Sequence, residues 1–402
     1  MNSAERAGLR PKDNVPTLRF PEFDGEWHHT TIGDCCSPLE YGMNAPAKEY
    51  DGANKYIRIT DIDEDTCTYK CDDVVSPNAQ LEDKYRVRKN DILFARTGAS
   101  TGKAYLYNEE DGLMYYAGFL IRGNVKPAYN AKFVFLQTQT QKYKKWVDIM
   151  SIRSGQPGIN SQEYSGFKFH LPPSKVEQDK ISTLFTLLDE RITTQIRIIE
   201  DLKSLSDAIC ERLYTPSDKG SWQTYKYADL FSISNERNSK LQYKNVLSAS
   251  QEYGMIERNE LNIDIKFEAS SITNYKIVRP NQYVIHLRSF QGGFAYSEKT
   301  GVCSPAYTIL VPNEKLSTAF LKYYFTSKRF IDSLRIVTYG IRDGRSISVD
   351  EFLQLKVTIP AIAHQQHIVQ VMQLWQEKIR TEEDYLSKLQ QQKKFLLSSM
   401  FI

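Results

Sequence analysis

The chain has 402 residues, 41% of them hydrophobic and 25% charged, with a formal net charge of +3. That length exceeds one ordinary core, so two to four domains are expected, and the composition excludes a disordered or fibrous chain. No apolar run approaches the ~18 residues of a membrane span, and the small net charge confines any nucleic-acid surface to a local basic patch.

Residues 1–14 are polar, lack the apolar core of a secretion signal, and read as a loose tail. A first block, 15–170, passes Trp27 and reaches KYRVRKNDILFARTGASTGKAYLY (84–107). This string predicts a basic strand, a turn at KND, an apolar strand, a polar Gly-rich loop and a third strand. NAKFVFLQTQTQKYKKWVDIM (130–150) predicts an amphipathic helix with a basic face. A second polar loop, SIRSGQPGINSQEY, leads into an alternating strand, FKFHLP. Residues 171–214 then open LPPSKVEQDKI and run through LLDERI into a long helix. Its stripe is Phe185, Leu188, Ile192, Gln195, Ile199, Leu202, Ser206, Ile209 and Leu213. Steps of three and four over four heptads are the mark of a coiled-coil seam.

The chain then repeats itself. A second block, 215–358, starts near Trp222 and carries NYKIVRPNQYVIHLRSFQGGFAYSE (274–298), the helical STAFLKYYFTSKRFIDSL (317–334), the loop TYGIRDGRSISVDEF and the strand LKVTIP. Residues 359–402 form a second long helix. Its stripe is Met372, Trp375, Ile379, Glu382, Leu386, Leu389, Lys393, Leu396 and Met400, with one constant offset from the first stripe at every position. A duplicated chain folds as a pseudo-two-fold molecule. The two stripes are therefore expected to close on each other, and the two-fold relation requires them to run antiparallel. Helices of roughly 37 residues make a rod on the order of 55 Å. The fold class is α+β: two α/β domains with mixed or antiparallel sheets, joined by a long antiparallel two-helix coiled coil. The block interiors diverge most, YIRITDIDEDTCTYK against NVLSASQEYGMIERNE, as expected for one scaffold carrying two different reading heads.

Catalytic patterns are missing. RTGASTGKA is not a phosphate-binding P-loop, because three residues rather than four separate Gly98 from Gly102 and Ala104 stands where a hydroxyl must hold magnesium. No G-x-G-x-x-G follows a strand, and there is no Asn-Pro-Pro-aromatic tetrapeptide and no repeated acid-acid-Lys arrangement. The six cysteines, Cys35, Cys36, Cys67, Cys71, Cys210 and Cys303, show no zinc spacing and read as reduced thiols. His364 and His367 read as a solvated helix start, so no metal site is expected.

The loops carry the remaining chemistry. Arg96, Thr97, Ser100, Thr101 and Lys103 can grip DNA phosphates and reach base edges, the alternative being a plain surface hairpin. Arg153, Ser154, Gln156 and Asn160 occupy the second loop. The other half supplies Arg288, Ser289 and Gln291 in its first loop, and Arg342, Arg345 and Ser346 in its second. Arg suits guanine edges and Gln or Asn suits adenine edges, against a reading as solvated loop residues. Lys142, Lys144, Lys145, Lys322, Lys328 and Arg329 are either phosphate contacts or a solvated helix face.

LRFPEFDGEW (18–27), NDILFARTGASTGKA and LPPSKVEQDKI…LLDERI resemble the specificity subunit of type I restriction–modification systems, and the duplicated layout extends the resemblance over nearly the whole chain. The second half departs from the pattern with HLRSFQGG and with HQQ for EQ. The resemblance implies two target-recognition domains (15–170 and 215–358), each reading one half of an asymmetric bipartite DNA site. It implies that the central conserved helix (171–214) and the C-terminal conserved helix (359–402) set the half-site spacing and dock two methyltransferase subunits. Two motor-nuclease subunits complete the restriction complex. The chain itself would catalyse nothing: S-adenosylmethionine, ATP and Mg2+ would act in partner subunits, in a bacterial or archaeal cytoplasm. The rival readings are a stand-alone bipartite DNA-binding regulator, an enzyme with an unrecognised site, and a coiled-coil scaffold.

Overall fold

Two asparagines set the frame of the two halves. Asn90 and Asn281 both take the left-handed conformation, φ 68°, in the turns KND and RPN, a region that Asn enters at lower cost than most residues. The residue after each asparagine locks the turn: the Asp91 carboxylate accepts from the Arg88 N–H at 2.7 Å, and the Gln282 amide oxygen accepts from the Arg279 N–H at 2.8 Å. The computed structural model describes residues 14–216, 221–250, 253–258, 269–286, 293–334, 338–339 and 346–402. It divides into unit 1, up to Arg197 together with Asp384–Ile402, and unit 2, Ile198–Glu383. All but one residue of the expected N-terminal tail lies outside the described residues.

Each unit carries one four-stranded antiparallel sheet of the same topology. In unit 1 its order is Glu40–Tyr41, Leu120–Asn124, Asp91–Ala95, Ala104–Leu106; in unit 2 it is Phe231–Ser234, Thr308–Pro312, Tyr283–Ile285, Phe294–Tyr296. Unit 1 adds a parallel pair, Lys55–Ile57 with Met114–Tyr116, so its strands are mixed. The basic strand expected over 84–88 does not form in unit 1. Asp83–Tyr85 is a 3-10 turn, which leaves only a single bridge, Arg86 with Tyr115, whereas Lys276–Val278 in unit 2 is a strand. The helix expected over 130–150 is two helices, Ala131–Gln137 and Gln141–Met150, and its counterpart is Phe320–Tyr324 and Lys328–Ser333. Both breaks have one cause. Thr140 and Ser327, equivalent positions of the repeat, turn out of the helix and use their hydroxyls to accept from the N–H of Tyr143 and Phe330, which restarts the helix as an N-cap.

The strand that starts at or next to each Trp pairs antiparallel with the strand that leads into the long helix: His28–Thr31 with Lys168–Leu171, and Trp222–Lys226 with Lys356–Pro360. A buried glutamine ties each long helix to its block. Gln178 accepts from the Asn130 N–H at 3.0 Å, and Gln365 accepts from the Ser317 N–H at 2.8 Å. The two glutamines stand at equivalent positions, as do the two donors, so the repeat extends to side-chain hydrogen bonds.

The long helices are Lys175–Leu213 and Ile362–Met400. They pack antiparallel. In unit 1 the start of the first meets the end of the second, with Leu188, Ile192 and Leu389 forming a buried cluster flanked by Leu386 and Leu396, and with Phe185 packed beside Met400 and Phe401. In unit 2 the end of the first, Ile209 and Leu213, packs on the core that holds Ile368 and Met372. Phe185, Leu188, Ile192, Ile199, Met372, Ile379 and Leu389 are buried, while Leu202, Ile209, Trp375, Leu386 and Leu396 are half-buried. The polar seam members behave differently from one another. Gln195 and Ser206 are buried, and Lys393 reaches Asp189 on the facing helix at 2.8 Å. Among the described residues no helix is long and apolar enough to cross a membrane.

Candidate nucleic-acid interface

In unit 1 the two loops singled out in the sequence lie side by side. Thr97 bridges Gly158 in antiparallel fashion, the Gly98 N–H donates to the Pro157 carbonyl at 3.0 Å, and the Ile159 N–H donates to the Arg96 carbonyl at 3.0 Å. Loop 96–103 is closed at its base by bonds from Ala95 N–H to Lys103 and from Gly102 N–H to Ala95. Two buried phenols clamp it. Tyr164 donates to the Ala95 carbonyl at 2.6 Å and accepts from the Gly102 N–H at 3.1 Å, while Tyr143 donates to the Gly102 carbonyl at 3.1 Å. Burial pushes both phenols well above their ordinary range, so they stay protonated and able to donate. Gly102 is required here: its φ is +93°, and a Cβ would stand 2.6 Å from a Val147 methyl.

The side chains sort by what they touch. The Arg96 guanidinium lies over the Tyr41 ring, 4.8 Å from its centroid, and the Tyr41 hydroxyl accepts from the Ser161 N–H at 3.2 Å. Burial would raise the Tyr41 phenol, but the Ser161 hydrogen bonds and the neighbouring Arg96 charge outweigh it and hold the phenol below its ordinary value. Lys103 pairs with Glu64 at 3.1 Å. Arg153 forks onto both Glu163 oxygens at 2.7 Å and also donates to the carbonyls of Met150 and Ile152. Asn160 caps the short helix Ser161–Ser165. Thr101 folds its hydroxyl back onto the Gly98 carbonyl at 2.8 Å. Ser154 and Gln156 are exposed, Thr97 and Ser100 half-buried, and the Gln156 amide lies against Gly98. Arg153, Asn160 and Thr101 thus shape the loops, whereas Arg96, Ser154 and Gln156 are presented by them. Phe119, 58% exposed, and Ile152, 72% exposed, add apolar surface alongside.

Tyr41, Glu64 and Glu163 had no local signal, since each meets its partner through strand pairing or loop closure rather than through sequence spacing. Of the second-half candidates, Arg288, Ser289, Gln291, Arg342 and Arg345 lie outside the described residues, and Ser346 is described only as part of the strand Ser346–Ile347. The helix-face cations divide. Lys144, Lys145 and Lys328 are exposed, Lys142 reaches the Ile402 carbonyl at 3.3 Å, Lys322 pairs with Glu298 at 2.6 Å, and Arg329 binds back to Thr215 at 3.2 Å. All six cysteines are free thiols, and among the described residues no group of His, Cys, Asp and Glu could hold a metal.

The profile of the type I restriction modification DNA specificity domain matches the chain twice, over residues 25–204 and 219–391. The fold is similar to that of the S subunit of a type I restriction-modification system from M. genitalium, with 16% identity, a TM-score of 0.58, and 96% of this chain and 99% of that chain covered. It is similar also to a chain solved in work on complex assembly and conformational transition of the type I R-M system, with 14% identity, a TM-score of 0.57, and coverage of 92% and 96%. No curated protein sequence matches.

Proposed function

Belonging to the type I restriction–modification DNA specificity family through both of its halves, the chain is a DNA sequence-recognition subunit, and we propose that each unit reads one half of an asymmetric, interrupted site. The observation that carries this reading is one scaffold used twice under different loops. Turn, sheet order, helix break and glutamine tie repeat in both units, whereas the loops RTGASTGKA and LRSFQGGF differ at most positions in sequence. The chain itself is non-catalytic. Two methyltransferase subunits and two motor-nuclease subunits bring S-adenosylmethionine, ATP and Mg2+, and the assembly works on cytoplasmic DNA. Family membership disfavours a stand-alone regulator.

The long helices supply the docking surface in this reading. Leu187 and Leu374, at equivalent places in LLDERI and LWQEKI, are 59% and 67% exposed. Single exposed leucines are ordinary, but one repeated in register on both helices suits two copies of one partner. Two measurements test the reading. Selecting bound duplexes from a randomised pool, with the chain and its methyltransferase co-expressed, should return two short motifs separated by unread base pairs; a single uninterrupted motif would overturn it. Leu187→Asp should remove one methyltransferase subunit from the complex by native mass, and the double variant with Leu374→Asp should remove both. Each is expected to cost about 2 kcal/mol or more if the leucine is a buried anchor. Undiminished mass in the double variant would sink the docking assignment.

A further inference from the structure

We infer that Arg96, held over the ring of Tyr41, reads a guanine in the half-site bound by unit 1, with Tyr41 as its positioning residue. The inference rests on the reading of unit 1 as a DNA-binding head and names what that head recognises. Three cations stand in the paired loops of unit 1, and they are not equivalent. Lys103 is held by Glu64 at 3.1 Å and Arg153 by Glu163 at 2.7 Å, so each already faces a carboxylate. Arg96 has no carboxylate partner among the described residues and stacks instead on Tyr41. Stacking leaves the guanidinium edge, with its fork of N–H donors, available to a planar acceptor pair.

The backbone of Arg96 is fixed as well. Its N–H donates to the Phe119 carbonyl at 3.0 Å and its carbonyl accepts from Ile159 at 3.0 Å, so two separate segments hold it. Tyr41 is fixed in turn by strand pairing with Ile121 and by the bond from Ser161 to its hydroxyl. A guanidinium placed in this way matches the O6 and N7 acceptors of guanine, the commonest bidentate base contact of Arg. A phosphate contact needs no such orientation, since a flexible Lys serves it equally.

The two residues of this arrangement are not repeated at the equivalent positions of the second half. The strand register that pairs Glu40 with Arg122 pairs Ser234 with Ile309, which puts Asn235 at the place of Tyr41. Counting along the sequence from the equivalent turns at Asn90 and Asn281, Leu287 falls at the position of Arg96. The stacked pair of Arg96 and Tyr41 is thus not repeated in register, and the guanine assigned to it belongs to the half-site of unit 1.

The test is selection of duplexes from a randomised pool by the co-expressed complex, comparing the natural chain with Arg96→Lys, Tyr41→Ala and Tyr41→Phe. The natural chain should select a two-part motif with a guanine in one part. Arg96→Lys and Tyr41→Ala should lose the preference at that position alone, by about tenfold or more, while the other part and the gap persist. Tyr41→Phe, which keeps the ring, should retain the guanine; loss of the guanine in that variant would overturn the stacking role of Tyr41. Weakening spread evenly over all duplexes, with a salt slope reduced by about one, would make Arg96 a phosphate contact and overturn the inference. An unchanged motif would overturn it too, as would a motif with no guanine in the affected half. A natural chain that selects no motif at all would instead remove the recognition reading on which the inference stands.

Discussion

Glu177→Ala should lower the stability of unit 1 by about 3–5 kcal/mol, the cost of breaking a buried ion pair from one side. Arg19 forks onto Glu177, with Nε to Oε1 at 2.7 Å and Nη2 to Oε2 at 2.8 Å, and Trp27 donates its indole N–H to Oε1 at 3.3 Å. The carboxylate side chain is 1% exposed and the guanidinium side chain 10%. Without the carboxylate, Arg19 keeps only the carbonyls of Asp24 and Gly25, and the Trp27 indole N–H loses its acceptor. This one residue ties the N-terminal segment, Trp27 and the first long helix together. The repeat supplies its own control. His364 stands at the equivalent place in unit 2 and meets Trp222 edge-to-face, with 5.9 Å between ring centroids, while the Trp222 indole N–H has no hydrogen bond among the described residues. His364→Ala removes no ion pair and should cost about 1 kcal/mol or less. Urea unfolding followed separately for each unit would measure both, and a Glu177→Ala cost near that of His364→Ala would show that the pair does not hold the unit together.

Removing one heptad from both long helices at once, residues 194–200 and 381–387, should shorten the unread gap of the recognised site by about three base pairs. Seven helical residues rise about 10 Å, and base pairs repeat every ~3.4 Å. The two segments are related by the constant offset of the repeat, so the stripe resumes in phase on both sides: Gln195 and Ile199 leave with Glu382 and Leu386, and the heptad period returns Leu202 and Leu389 to the seam. Neither loop system is touched, so both half-site sequences should persist. Motif selection reads gap and half-sites in one experiment, and an unaltered gap would show that the helices do not set the spacing.

Legibility followed the range of the interaction. The seam from Phe185 to Leu213 was readable because heptad contacts recur every three or four residues, and Leu188, Ile192 and Leu389 are buried where the stripe puts them. The turns at Asn90 and Asn281 were readable because a left-handed residue leaves a local chemical mark. The break inside 130–150 leaves no mark in the apolar period, which runs on through Thr140, while a hydroxyl cap decides it. The neighbourhood of the candidate site was beyond reach for a different reason. Arg96 meets Tyr41, far from it in sequence, because of where two strands enter one sheet. Lys103 meets Glu64, and Arg19 meets Glu177, by the same kind of long-range placement. By itself, then, the amino-acid order determined a duplicated scaffold, its paired helices and the two polar loops of each block, since these rest on local period and local turn chemistry. Only the tertiary structure decided which loop cation is neutralised and which is presented, because that depends on strand register between segments that sequence spacing does not connect.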